Sequence, residues 1–132
     1  MRRILVIDDE PFVLEALKRV LATGTVAVIG ASTADAGLAA MRESPVDLVI
    51  VDVILPGMDG VAAIKIIRRY YPAVRIIAMS GGGKFGLDSY LPDAISTNAY
   101  LAACKAAGAD GILAKPFETG DLRSLIEQVQ TA

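Results

Sequence analysis

The chain has 132 residues, of which 54% are hydrophobic and 21% charged, and its formal net charge is −2. This length suits one domain, and the composition is too apolar and too weakly charged for a disordered chain. A pI near 5.0 without a dense Lys or Arg run argues against a nucleic-acid-binding arm, and no apolar run approaches the ~18 residues of a membrane span.

Five short runs of mostly branched apolar residues predict five β-strands. They are Ile4–Ile7, Val26–Ile29, Leu48–Val51, Val74–Met79 and Ile112–Ala114. The runs are nearly continuous rather than alternating, as in strands that are buried on both faces of a parallel sheet. Stretches with helical spacing lie between them, so the order strand–helix repeats five times. This order predicts a doubly wound α/β fold with right-handed crossovers and helices on both faces of the sheet.

Apolar residues at helical spacing predict the faces by which the helices pack. They are Phe12, Leu14, Leu17, Val20 and Leu21 in the first helix, Val61, Ile64, Ile66, Ile67 and Tyr70 in the third, and Leu122, Leu125, Ile126 and Val129 in the last. Asp9 or Glu10 is a candidate N-cap of the first helix, with Pro11 at its first position, and Ser32 or Thr33 is a candidate N-cap of the second.

The segment Gly81–Ala94 breaks this rhythm. It is rich in glycine, it contains Pro92, and it predicts no helix before about Ile95. Loops of this length are uncommon inside compact domains and are often functional. Gly108 is placed to end the helix that follows. Cys104, the single cysteine, is interpreted as a small buried apolar residue of that helix, and its lack of a disulfide partner fits a reducing cytosol.

Polar residues follow four of the predicted strands. Asp8 and Asp9 follow the first strand, Asp52 the third, Ser80 the fourth and Lys115 the fifth. Ligands of open α/β sheets bind outside the carboxyl ends of the strands, so these groups are expected to converge at one edge. Clustered carboxylates repel one another, and Mg²⁺ would neutralise them. Asp52 interrupts apolar sequence and is the candidate nucleophile for a phosphoryl group. The metal and the ammonium of Lys115 would neutralise the phosphoryl oxygens, and the hydroxyl of Ser80 would donate one hydrogen bond to them.

Each of these residues alone has an ordinary explanation, as a helix cap, a loop hydroxyl or a surface lysine. These explanations do not account for the order in which the residues occur together along the chain. In that order the sequence resembles the receiver domain of two-component response regulators. The motifs that carry the resemblance are Ile4–Glu10, Asp47–Gly60, Ala78–Ser80 and Leu113–Phe117. The resemblance covers essentially the whole chain. It implies a flavodoxin-like fold with strand order 2-1-3-4-5, in a single receiver domain over residues 1–132 without an output domain.

The resemblance also implies the roles of the site residues. Asp52 matches the phosphoacceptor. The implied Mg²⁺ ligands are Asp8, Asp9, Asp52 and the backbone carbonyl of Ile54. The implied phosphoryl contacts are Ser80 and Lys115. Pro116 follows this lysine, and the peptide bond between them is commonly cis in the family.

The resemblance implies that the phosphoryl donor is the phosphohistidine of a partner histidine kinase or histidine phosphotransferase, since this chain has no histidine of its own. Signalling would then proceed through contacts with an unknown downstream protein. We expect a cytoplasmic monomer or weak dimer that neither binds nucleic acid nor inserts into a membrane. It would not be an enzyme beyond its own phosphoryl transfer and autodephosphorylation.

Two departures from the family pattern bear on signalling. Ile112 stands three positions before Lys115, where the family usually carries an aromatic switch residue. The stretch before that lysine is also longer than is usual, and the excess falls in the segment Gly81–Ala94. One hypothesis is that this segment takes over signalling, with Phe85 or Tyr90 docking differently after phosphorylation. The alternative is a surface insertion without such a role.

Three other functions are compatible with parts of the pattern. Gly81, Gly83 and Gly86 have the spacing of a dinucleotide-binding loop, although no helix follows them promptly. A haloacid-dehalogenase-like phosphatase would pair Asp8 with an acid two residues later, as Glu10 is, although the chain is short for that family. A degenerate receiver would serve as a phosphorylation-independent protein-binding module.

Overall fold

The computed structural model describes residues 2–53, 58, 60–79, 102–114 and 118–131. The strands, all parallel, are β1 (Arg2–Ile7), β2 (Val26–Ala31), β3 (Leu48–Asp52), β4 (Arg75–Met79) and β5 (Gly111–Leu113). The helices are α1 (Pro11–Leu21), α2 (Ala34–Glu43), α3 (Gly60–Tyr70), α4 (residues 102–107) and α5 (Thr119–Thr131). The sheet has the order β2-β1-β3-β4-β5, which confirms the predicted flavodoxin-like arrangement. Strand limits differ from the predicted ones by a residue or two.

Successive residues of β3 face opposite layers of helices. Val49 and Val51 belong to a core cluster shared with α2 and α3, whereas Leu48 and Ile50 belong to a second cluster shared with α1 and α5. All residues of β3 are buried, and β1 and β4 pair with it on either side. The strand is therefore central, and its carboxyl end places Asp52 in the middle of the sheet edge.

The predicted helix boundaries are confirmed where the structure describes them. Pro11 occupies the start of α1. The Oγ1 atom of Thr33 accepts a hydrogen bond from the N–H of Ala36 at 3.0 Å and so caps α2. Gly108 follows α4 with φ of 125°, a conformation that favours glycine, and its N–H bonds the carbonyl of Cys104 at 3.2 Å. Cys104 is fully buried, as predicted.

Two aromatic residues predicted to lie on the packing faces are exposed instead. Phe12 is 82% and Tyr70 66% accessible. The buried face of α1 is centred on Leu17, and Phe12 lies about 140° from it around a helix that turns ~100° per residue. Tyr70 is the last residue of α3, beyond the buried Ile67. The predicted stripes were therefore wrong at these two ends. Among the helices described, none is both long enough and apolar enough to cross a bilayer.

Candidate acidic site at the carboxyl edge of the sheet

Asp52 is fully buried at the end of the central strand. Just beyond it, the N–H of Val53 bonds the carbonyl of Met79 at 2.9 Å and extends the pairing with β4. The N–H of Gly60 bonds the carbonyl of Val53 at 2.8 Å, so that α3 begins directly against the strand end. A Cβ atom at Gly60 would lie 2.6 Å from the carbonyl oxygen of Asp52. Only glycine permits this close approach, which fixes the backbone that carries the Asp52 side chain.

Asp8 lies beyond the end of β1 and is also fully buried. Its N–H bonds the carbonyl of Ala31 at 3.0 Å, which holds it against the end of β2. Its Oδ1 atom accepts a hydrogen bond from the N–H of Glu10 at 2.9 Å. A carboxylate that bonds the backbone two residues ahead forms a local turn, and this turn directs the chain into α1.

Three carboxylates come together at this edge. Asp8, Glu10 and Asp52 each offer an oxygen within 4.8 Å of the others. Like charges at this separation repel, more strongly where burial removes water. Mg²⁺ prefers oxygen ligands and commonly takes one or two carboxylates while it retains water. The donor set therefore fits Mg²⁺ in chemical type and in charge.

Glu10 is the member of this cluster that the sequence analysis did not assign to the site. It was considered as a helix cap and, in the phosphatase alternative, as the acid paired with Asp8. It does occupy the N-cap position of α1, but its side chain makes no capping hydrogen bond. Asp9, which the resemblance assigns to the metal pocket, is half-buried, and its carboxylate is not part of the clustered trio. The acidic run that these residues form was the available signal for a third carboxylate here.

Of the other predicted site residues, the structure describes Ile112. It lies half-buried in β5 and pairs with Ala78 of β4. Outside the described residues lie Ile54, Ser80, Lys115, Pro116, Phe85, Tyr90 and the rest of the segment Gly81–Ala94. Their predicted roles stay predictions.

Comparison with known proteins agrees with this geometry. The family described as the response regulator receiver domain matches residues 4–127. The chain is 32% identical over 117 residues to the chemotaxis protein CheY of Bacillus subtilis, covering 88% of this chain and 87% of that protein. It is 31% identical over 124 residues to the transcriptional regulatory protein YvrH of the same organism, covering 93% of this chain.

The coverage differs between these relatives. The chain spans 46% of YvrH and thus about half its length. Among solved structures, a response regulator receiver domain from Clostridium thermocellum superposes with a TM-score of 0.78 at 31% sequence identity, covering 99% of this chain and 95% of that one. The similarity therefore extends over the fold as a whole and over the sequence that forms the acidic edge.

Proposed function

Because the chain belongs to the response regulator receiver domain family, we propose that Asp52 accepts a phosphoryl group from the phosphohistidine of a partner histidine kinase or histidine phosphotransferase. The observation that carries this proposal is the burial of Asp52 at the end of the central strand with two further carboxylates within 4.8 Å. A buried carboxylate close to two other carboxylates is costly for stability. A chemical role therefore explains the presence of Asp52 here better than a structural one.

The proposed reaction is a transfer between two nucleophiles. A carboxylate oxygen of Asp52 attacks the phosphorus, an O–P bond forms, the N–P bond of the donor breaks, and its electron pair returns to the imidazole nitrogen. Attack of water on the same phosphorus would later release phosphate and restore the carboxylate. The close approach of Gly60 to the Asp52 backbone would restrict the backbone that carries the nucleophile, which favours a lower entropic part of the barrier.

The clustered carboxylates Asp8, Glu10 and Asp52 would hold Mg²⁺, together with Asp9 and the carbonyl of Ile54 as the family resemblance implies. When bound, the ion supplies positive charge that offsets the carboxylates and the phosphoryl oxygens. We assign to Lys115 and Ser80 the remaining contacts with the phosphoryl group, through an ammonium and a hydroxyl. These assignments rest on the order of the motifs along the chain.

Phosphorylation adds roughly −1.5 to −2 charges at this edge. We propose that the added charge shifts the population of conformations recognised by a downstream protein, with a coupling typically of ~1–3 kcal/mol. Ile112, an aliphatic residue at the position of the usual aromatic switch, favours a second candidate. In that reading the domain binds its partner without phosphorylation, as a degenerate receiver.

Intact-protein mass spectrometry tests the proposal. The chain is incubated with acetyl phosphate and Mg²⁺, beside Asp52→Asn and a surface control, Glu15→Gln. We expect one added phosphoryl group in the wild type and the control, absent without Mg²⁺ and absent in Asp52→Asn. Equal labelling of Asp52→Asn would refute the assignment of the acceptor. No labelling of the wild type by acetyl phosphate or by a phosphohistidine donor would support the degenerate receiver.

A further inference from the structure

A groove of about 360 Å³ lies between α2 and α3, apart from the acidic edge. Its described lining residues are Leu38, Arg42, Ile66, Tyr70 and Tyr71. Leu38, Ile66 and Tyr71 are half-buried and form an apolar floor, whereas Tyr70 is 66% exposed at one side. An aromatic ring with this exposure beside an open apolar groove is a common feature of protein-binding surfaces.

Two arginines border this groove. Arg42, exposed in the last turn of α2, lines it, and Arg69, exposed on α3, lies against the lining residue Tyr70. The guanidinium of Arg69 lies 5.7 Å from the centroid of the Tyr70 ring, within the range of a cation–π contact. Among the described residues that line the groove, the charged one is Arg42. These positive charges occur on a chain whose formal net charge is −2.

Basic residues in the last turn of a helix also interact favourably with the helix dipole. That effect accounts for an arginine at the end of α2 and another at the end of α3. It accounts neither for the exposed Tyr70 nor for the apolar floor between the helices, because neither carries charge. The combination of an apolar floor, an exposed aromatic residue and two bordering arginines requires a further explanation.

We propose that this groove binds an acidic amphipathic segment of a partner protein. An apolar side chain of that segment packs against Leu38, Ile66 and the Tyr70 ring, and its carboxylates face Arg42 and Arg69. Charge complementarity of this kind sets the choice of partner and the rate of association more than raw affinity.

The position of the groove makes the proposed contact separate from phosphoacceptance. The α3 helix begins at Gly60, against Asp52, and ends at Tyr70. At a rise of 1.5 Å per residue its two ends lie about 15 Å apart. A segment bound at the Tyr70 end therefore leaves the acidic edge open to a phosphoryl donor, and both surfaces can be occupied together.

Two fluorescently labelled synthetic peptides test this proposal with the unphosphorylated chain. Both carry Leu and Phe at helical spacing, and the remaining positions are Glu in one and Lys in the other. We expect the Glu peptide to bind, with affinity that falls as salt is added, and the Lys peptide not to bind. Arg42→Glu and Arg69→Glu should each weaken binding by at least about tenfold. Tyr70→Ala, at an exposed position, should weaken it too.

The matched control is Arg19→Glu, an exposed arginine in the last turn of α1. It makes the same charge change on the opposite face of the sheet and should leave the affinity within about twofold. Three results would each overturn the proposal: equal binding of both peptides, equal loss with Arg19→Glu, or no binding of the Glu peptide. A concentration-dependent dimer abolished by Arg42→Glu would assign the groove to a second copy instead. None of these results bears on Asp52, because no phosphoryl group is present.

Discussion

Replacing Arg68 should destabilise the fold more than replacing any exposed charged residue, because its guanidinium donates five hydrogen bonds. The Nε and Nη2 atoms donate to the carbonyl of Gly108 at 3.2 and 2.7 Å. The Nη1 atom donates to the carbonyls of Pro72 and Val74 at 2.9 and 2.7 Å. The Nη2 atom also donates to Oδ2 of Asp110 at 2.9 Å.

This network joins three parts of the chain at the amino edge of the sheet. Arg68 lies in the last turn of α3, Val74 directly precedes β4, and Asp110 directly precedes β5. Asp110 also accepts a hydrogen bond from the N–H of Ile76 at 2.9 Å and lies 3.8 Å from Nη1 of Arg75. Loss of one side chain therefore loosens the connections into both β4 and β5.

The size of the destabilisation follows from the hydrogen-bond partners of Arg68 and from how exposed they are. Hydrogen bonds to a charged group contribute about 1.5–3 kcal/mol each when well buried, but the side chains of Arg68 and Asp110 are 26% and 27% exposed. In the variant, water therefore replaces part of the lost hydrogen bonding, and solvent screening further reduces the contribution of the ion pair to stability. We expect Arg68→Ala to lower the free energy of unfolding by about 2–4 kcal/mol. For a domain of this size that corresponds to a midpoint lower by about 8–15 °C.

Arg68→Lys separates the geometry of the network from its charge. Lysine keeps the positive charge, but one ammonium cannot reach three carbonyls and a carboxylate arranged for a planar fork. We expect Arg68→Lys to lower the free energy of unfolding by more than half as much as Arg68→Ala does. Arg69→Ala, next along the chain and exposed, should change the midpoint by less than about 2 °C.

The assay is thermal and urea unfolding followed by far-ultraviolet circular dichroism. A wild-type midpoint for Arg68→Lys, or an equal loss of unfolding free energy in Arg69→Ala and Arg68→Ala, would refute the role assigned to the Arg68 network.

Three further predictions concern the site and a helix end. Gly60→Ala should lower the unfolding free energy by about 1–3 kcal/mol and slow phosphorylation by acetyl phosphate, because the added methyl group meets the Asp52 backbone. The control is Gly120→Ala, where an added Cβ meets nothing within 4 Å. It should have neither effect in the same unfolding and labelling assays. Thr33→Ala should cost about 1 kcal/mol in urea unfolding through loss of the α2 cap, and an unchanged urea midpoint would refute the capping role. Saturating Mg²⁺ should raise the thermal midpoint of the wild type and of Glu15→Gln but much less that of Asp52→Asn, and equal shifts in all three would place the ion elsewhere.

The sequence determined the order of the elements and the identity of the central acid. Nearly continuous apolar runs specify buried parallel strands, because a strand covered by helices on both faces has no polar side. Helix boundaries at Pro11, Thr33 and Gly108 were predictable since each depends on local backbone chemistry. Asp52 was recognisable because a charge within apolar sequence is costly unless it has a function.

Only the tertiary structure decided which side chains meet across elements. Glu10 was predicted to act locally, at the start of α1, yet its carboxylate joins those of Asp8 and Asp52 from two different strand ends. Tyr70 fits a helical stripe by spacing, but α3 carries it past the neighbouring core, where it borders the groove between α2 and α3. The Arg68 network likewise bridges positions about 40 residues apart in sequence. Spacing within one element reports the direction of a side chain, whereas packing between elements decides what that side chain contacts.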